Sequence, residues 1–121
     1  MKKIAIIDDE QEILNILEKF LARSKKFEIV TFSNPKSALS VVKDGTFDLI
    51  LLDIMMPQMS GIQFLQEIKE YSKSIKIVMM TAFSTQDKMI ECNKLGANDY
   101  LTKPFMSLRD VENKVLDNLS L

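Results

Sequence analysis

The sequence predicts a doubly wound α/β fold, a parallel sheet with helices packed on both faces. Three observations carry that expectation. Short apolar runs alternate five times with stretches of helical periodicity. The first, third and fourth runs are apolar throughout instead of alternating, the mark of parallel strands covered on both sides. Each repeat has the length of one strand and one crossover helix.

The elements follow in order. Ile4-Ala5-Ile6-Ile7 reads as the first strand, and Ile13, Leu14, Leu17, Phe20 and Leu21 recur at helical spacing behind it. The run from Phe27 to Phe32 is the second strand. Ser33-Asn34-Pro35 then supplies a cap with proline in the first helical turn, and Gly45 ends that second helix. Leu49 to Leu52 is the third strand and Ile75 to Met80 the fourth. A fourth helix carries Cys92 and ends at Gly96, the weaker pair Tyr100-Leu101 is the last strand, and Leu108, Val111, Val115 and Leu119 mark the last helix. No Pro/Gly/Ser linker, low-complexity tract or internal repeat divides residues 1–121, which are expected to form a single domain.

Composition narrows the function classes. Of 121 residues, 46% are hydrophobic and 27% charged, a globular profile with enough apolar material for a real core. Lys plus Arg (16) nearly cancels Asp plus Glu (17), so no electrostatic footprint for nucleic acid or an anionic membrane exists. No apolar run reaches the ~20 residues of a membrane span, and the basic start MKK is followed by too few apolar residues for a signal peptide. The single cysteine excludes an internal disulfide and a CxxC pair, which fits a reducing, cytoplasmic setting. Histidine is absent, and with it the usual general base and metal ligand.

In open α/β sheets ligands bind beyond the carboxyl ends of the strands. Asp8, Asp9 and Glu10 follow the first strand, and Asp53 ends the third, where DLILLDIMMPQMSG places one carboxylate in an apolar run. Thr81 ends the fourth strand and Lys103 follows the fifth. Singly these are ordinary: an acid after a strand caps a helix, a threonine makes a turn, a lysine is solvated. Together they bring carboxylates, a hydroxyl and an amine to one sheet edge from four segments. Clustered carboxylates repel one another unless a cation neutralises them. With only hard oxygen ligands, that cation is Mg²⁺ or a close relative such as Mn²⁺, shared with waters and a phosphate. Lys103 suits the phosphate as a point charge, Thr81 can donate to a phosphoryl oxygen, and Asp53 can be the nucleophile that becomes an acyl phosphate.

The segments IIDDE (6–10), LLDIMMPQMSG (51–61), MMTAF (79–83) and GANDYLTKPF (96–105) carry a resemblance to the receiver domains of bacterial two-component response regulators, chemotaxis-regulator-like, over essentially the full length. The resemblance implies a flavodoxin-like (βα)5 sandwich with a five-stranded parallel sheet of order 2-1-3-4-5. It implies Asp53 as the phospho-acceptor, served by a sensor histidine kinase or a histidine phosphotransfer protein. Asp9 would ligate Mg²⁺ directly, Asp8 mostly through water, and the Met55 backbone carbonyl would join Asp53 as a further ligand. Lys103 would contact the phosphate, and Lys103-Pro104 is expected to be cis. Thr81 and Tyr100 would be the switch pair. The surface of the fourth helix, last strand and fifth helix, with Met89, Tyr100 and Phe105, would dock a downstream protein or a second copy. Met55 and Phe83 would flank the path of the hydrolytic water. Both are bulky and apolar, so the chain is expected to be a self-phosphorylating acceptor with slow autophosphatase activity, not a turnover enzyme. Ser60 departs from the family, where aspartate is common at that position.

Rival readings are weaker. A flavodoxin-type carrier needs a hydroxyl- and glycine-rich phosphate loop where Asp8-Asp9-Glu10 stands. An aspartyl phosphatase of the haloacid dehalogenase type wants a second aspartate where Met55 lies, and no glycine-rich Walker loop exists. A receiver-like interaction module that is never phosphorylated is the closest alternative, and the intact set Asp9, Asp53, Thr81 and Lys103 argues against it. The remaining features have plain readings. The methionines are mostly core filler, Cys92 is a small buried side chain, the charges of the first and third helices are solvated, and Phe105 packs locally. The sequence reads equally as a stand-alone regulator or as the receiver portion of a larger protein.

Overall fold

The computed structural model describes residues 1–82 and 86–120. Strands and helices alternate as β1 (Lys2–Ile7), α1 (Gln11–Ala22), β2 (Phe27–Phe32), α2 (Pro35–Asp44), β3 (Leu49–Asp53), α3 (Gly61–Tyr71), β4 (Lys76–Thr81), α4 (Gln86–Lys94), β5 (Asp99–Thr102) and α5 (Leu108–Leu119). The strands form one parallel sheet of order β2-β1-β3-β4-β5, as expected. Order reverses between β1 and β3, which opens the crevice at their carboxyl ends.

Alternate residues of each strand face opposite layers. Ala5, Ile7, Ile50, Leu52, Ile77 and Met79 pack with Ala38 and Val42 of α2, Phe64, Leu65 and Ile68 of α3, and Cys92 of α4. Ile4, Ile6, Leu49, Leu51, Val78 and Met80 pack with Leu14, Leu17 and Leu21 of α1 and with Val111 and Val115 of α5. All of β3 is buried, which is why its sequence shows no polar alternation. Phe64 is fully enclosed, and truncating such a ring to alanine costs about 3–5 kcal/mol.

Local signals act as expected in most places. Asn34 caps α2, its Oδ1 accepting from Lys36 N at 2.9 Å and Ser37 N at 3.4 Å, and Ser60 and Ser107 cap α3 and α5. Gly96 takes φ 102° after α4, the left-handed turn that glycine permits. Gly45 also ends its helix, but in extended backbone at φ −96°. There the amide still reaches the Val41 carbonyl at 2.9 Å, so α2 stops without a left-handed residue.

One expectation is corrected. Lys69 of α3 is not a solvated charge: its ammonium donates to the Ile75 carbonyl at 2.7 Å and the Asn98 side-chain oxygen at 3.4 Å. Burial lowers its pKa, helped by nearby Lys76. Asn98 also accepts from Ile77 N at 2.8 Å. This clasp ties α3 to the loops entering β4 and β5, at the sheet edge opposite the crevice.

Candidate functional site

Asp8, immediately after β1, is fully buried and held twice by backbone. Its amide donates to the Phe32 carbonyl at 3.1 Å, and its Oδ1 accepts from Glu10 N at 2.9 Å. It therefore closes a side-chain turn and does not cap α1, whose N-cap residue, Glu10, has no side-chain cap. Asp9 and Glu10 are exposed.

Asp53 is the last residue of β3 and only 4% exposed. Two contacts fix the chain after it: Ile54 N donates to the Met80 carbonyl at 3.0 Å, and Gly61 N to the Ile54 carbonyl at 2.8 Å. Gly61 has to be glycine, because a Cβ there would lie 2.1 Å from the Asp53 carbonyl oxygen. The first turn of α3 is thereby pressed against the acidic residue. Ser60, where the family often has aspartate, accepts from Gln63 N at 3.1 Å, so the substitution keeps the cap.

Thr81 ends β4, is 2% exposed, and receives Lys103 N on its carbonyl at 2.7 Å. The Lys103-Pro104 peptide is cis, and the lysine side chain is buried. Lys103 Nζ lies 2.5 Å from Asp8 Oδ2, 3.6 Å from Asp53 Oδ1 and 3.7 Å from Glu10 Oε1. The residues singled out at four strand ends thus meet in one crevice.

Its electrostatics are unbalanced. Burial, then the Asp8 charge, push the Asp53 carboxyl up to about 7, while Lys103 and the Met55 amide pull the other way and a hydrogen bond with Asp9 adds to the rise. Burial also raises Asp8, against the bond from Lys103. For Lys103, burial alone would lower the pKa, but the Asp8 bond and the charges of Asp53, Asp8 and Glu10 outweigh it, so the ammonium is held protonated. One buried cation faces an excess of carboxylates. Carboxylate oxygens of Asp8, Asp9 and Glu10 can lie within 4.8 Å of one another, with Asp53 beside them. A hard divalent cation such as Mg²⁺ fits this donor set and its surplus negative charge.

The neighbourhood adds two features. Tyr100 pairs in register with Met79, two residues before Thr81 on the same face of β4. Its half-buried ring packs on the α3–α4 layer, and its hydroxyl donates to the Met89 carbonyl at 3.0 Å and meets the Asn93 side chain. Met55 is half exposed, and its sulfur lies 3.7 Å from the Lys88 ammonium. Asp9, Met55, Met56, Pro57 and Lys88 line a cavity of about 480 Å³ at the mouth of the crevice. Sequence reading did not single out Lys88, since a lysine in the first turn of a polar helix carries no signal of its own. Phe83, the other expected shield, lies outside the described residues.

An open parallel sheet with acids and a lysine at its switch point defines the class of two-component signalling receivers. The sequence matches the model of the Response regulator receiver domain over residues 4–115, and the chain belongs to that family. It is 36% identical over 94% of its length to the alkaline phosphatase synthesis transcriptional regulatory protein PhoP of Bacillus subtilis, of which it covers 47%. Among solved structures it resembles a CheY-like receiver domain protein from Methanospirillum hungatei (TM-score 0.92, 25% identity, covering 99% of this chain and 94% of that one). It also resembles the response regulator TrrA from Thermotoga maritima, solved in complex with Mg²⁺-BeF (TM-score 0.85, 32% identity, 98% and 99% covered). The chain spans less than half the length of the curated relatives it matches. Among the described residues no helix is long and apolar enough to cross a membrane.

Proposed function

We propose that residues 1–121 form a single receiver domain whose Asp53 accepts a phosphoryl group in a Mg²⁺-dependent reaction. The donor is a sensor histidine kinase or a histidine phosphotransfer protein of the same, cytoplasmic, signalling system. The observation that supports this most is the buried Asp53 carboxylate, 3.6 Å from the Lys103 ammonium and crowded by Asp8 and Asp9. A carboxylate kept this dry and this poorly neutralised is expensive unless the site has a use for it.

Asp9, Asp53 and the Met55 carbonyl would hold the metal, with Asp8 acting mostly through water and Mn²⁺ able to substitute. When bound, Mg²⁺ neutralises the carboxylates and the phosphoryl oxygens. An Asp53 oxygen attacks phosphorus in line, and the bond to the donor atom breaks with its electron pair leaving on the donor. Lys103 turns from Asp8 to a phosphoryl oxygen, and the Thr81 hydroxyl donates to another. Movement of Thr81 opens space toward Tyr100, whose ring shifts and remodels the α4–β5–α5 surface for a downstream protein or a second copy. The chain is then an acceptor with slow autophosphatase activity and not a turnover enzyme. Incubation with acetyl phosphate and Mg²⁺, followed by a gel that separates phosphorylated protein, tests the reading. A single added phosphoryl that is lost in Asp53→Asn supports it, and an unmodified wild-type protein would leave an unphosphorylated interaction module.

A further inference from the structure

The Lys88 ammonium stands at the mouth of the crevice. It projects from the first turn of α4 to within 3.7 Å of the Met55 sulfur and shares one cavity with Asp9 and Met55. The Met55 amide in turn donates to Asp53 Oδ1 at 3.4 Å. Lys88 therefore sits on the open side of the crevice, while Lys103 lies at its floor, 8% exposed. Among the described residues, the exposed carboxylate of Asp9 lines the same cavity, and Asp87 and Glu91 are exposed on the same helix as Lys88.

We infer that Lys88 is a specificity-determining residue that favours donors whose leaving group departs as an anion, the acyl phosphates. This rests on the phospho-acceptor reading above. In-line attack by Asp53 puts the leaving group on the far side of phosphorus, toward the mouth. With an acyl phosphate, the phosphorus–oxygen bond breaks and its electron pair leaves on a carboxylate oxygen, so negative charge grows beside the mouth-side acids. A fixed cation there stabilises that charge as it develops. With a nitrogen-protonated phosphoramidate, the phosphorus–nitrogen bond breaks and the pair leaves on a neutral amine. No anion then forms for Lys88 to stabilise.

The test compares Asp53 phosphorylation rates with acetyl phosphate and with phosphoramidate, each at saturating Mg²⁺, in wild type, Lys88→Met and Lys88→Arg. Lys88→Met is expected to slow acetyl phosphate about tenfold, which is ~1.4 kcal/mol of transition-state stabilisation, and to change phosphoramidate less than about twofold. Lys88→Arg should restore most of the acetyl phosphate rate. Circular dichroism and the calorimetric Mg²⁺ affinity of Lys88→Met should match wild type. Equal slowing with both donors, or no slowing with either, would overturn the inference while leaving Asp53 as acceptor. A wild-type protein labelled by neither donor would overturn the acceptor reading itself, and this inference with it.

Discussion

The Tyr100 hydroxyl donates to the Met89 backbone carbonyl across 3.0 Å, so the ring of β5 is tied to the middle of α4. Asn93, one turn further along α4, meets the same hydroxyl. Any inward movement of the ring has to break this tie. Tyr100→Phe removes it and should destabilise the domain by ~1 kcal/mol, the net worth of a neutral hydrogen bond. In wild type, beryllofluoride and Mg²⁺ should shift the Tyr100 ring resonances and those of Thr81. Unmoved signals at both residues would mean that the signal leaves by another surface.

Asp53→Asn should abolish labelling by small phosphodonors and keep the fold, because the amide has the same shape without the nucleophilic charge. Removing that charge also relieves its burial beside Asp8. In the absence of divalent ions the variant should therefore be more stable than wild type by ~1 kcal/mol or more in urea denaturation. Label persisting in Asp53→Asn would identify a different acceptor.

Mg²⁺ should bind weakly, in the millimolar range, which corresponds to about −4 kcal/mol. Asp9→Asn is expected to weaken it at least tenfold, and Asp8→Asn less. The second variant should instead release Lys103, whose nearest partner is Asp8 Oδ2 at 2.5 Å. Isothermal calorimetry separates the two, and an Asp9→Asn protein with wild-type affinity would refute the direct-ligand assignment.

Met55 overhangs the crevice with a half-exposed apolar side chain. A small polar residue in its place, with a matching change at Phe83, should admit and orient water. Loss of the phosphoryl group should then accelerate several-fold, followed by phosphate release. A decay rate indifferent to the double change would remove the shielding role.

Asp99 pins α5 to β5. Burial would raise its pKa, but bonds from Lys114 Nζ at 2.8 Å, Tyr100 N at 2.8 Å and Asn118 Nδ2 at 3.0 Å outweigh burial, and the net shift is below the ordinary 3.8. A depressed acid stabilises the folded state above its unfolded pKa, and that stabilisation is lost as pH falls through the folded pKa. Asp99→Asn should thus be less stable than wild type at pH 7, with the gap narrowing below about pH 4. A gap that persists unchanged at low pH would assign the effect to packing.

Much of this was legible in the residues. The uniform apolarity of Leu49–Leu52 announced a strand covered on both faces, and Asn34-Pro35 announced a helix start, because each signal is local. The convergence of Asp8, Asp53, Thr81 and Lys103 followed from strand ends sharing one edge. Contacts between distant segments were not legible. Lys69 reads as a surface charge until the folded chain brings the Ile75 carbonyl and Asn98 to its ammonium. Lys88 gains meaning from Met55, which α4 reaches by packing and not by sequence spacing.

The close approach of Gly61 to Asp53 has a consequence for how this segment can vary. Because Gly61 N is fastened to the Ile54 carbonyl at 2.8 Å, residues 54–60 form a closed ring of fixed circumference. Exposed members such as Met55, Pro57 and Gln58 can exchange side chains without moving the acidic residue, whereas one residue gained or lost would rotate α3 against β3 and drag Asp53 with it. In a library of point changes and single-codon indels across this ring, the substitutions should survive at these positions and nearly all the indels should be purged.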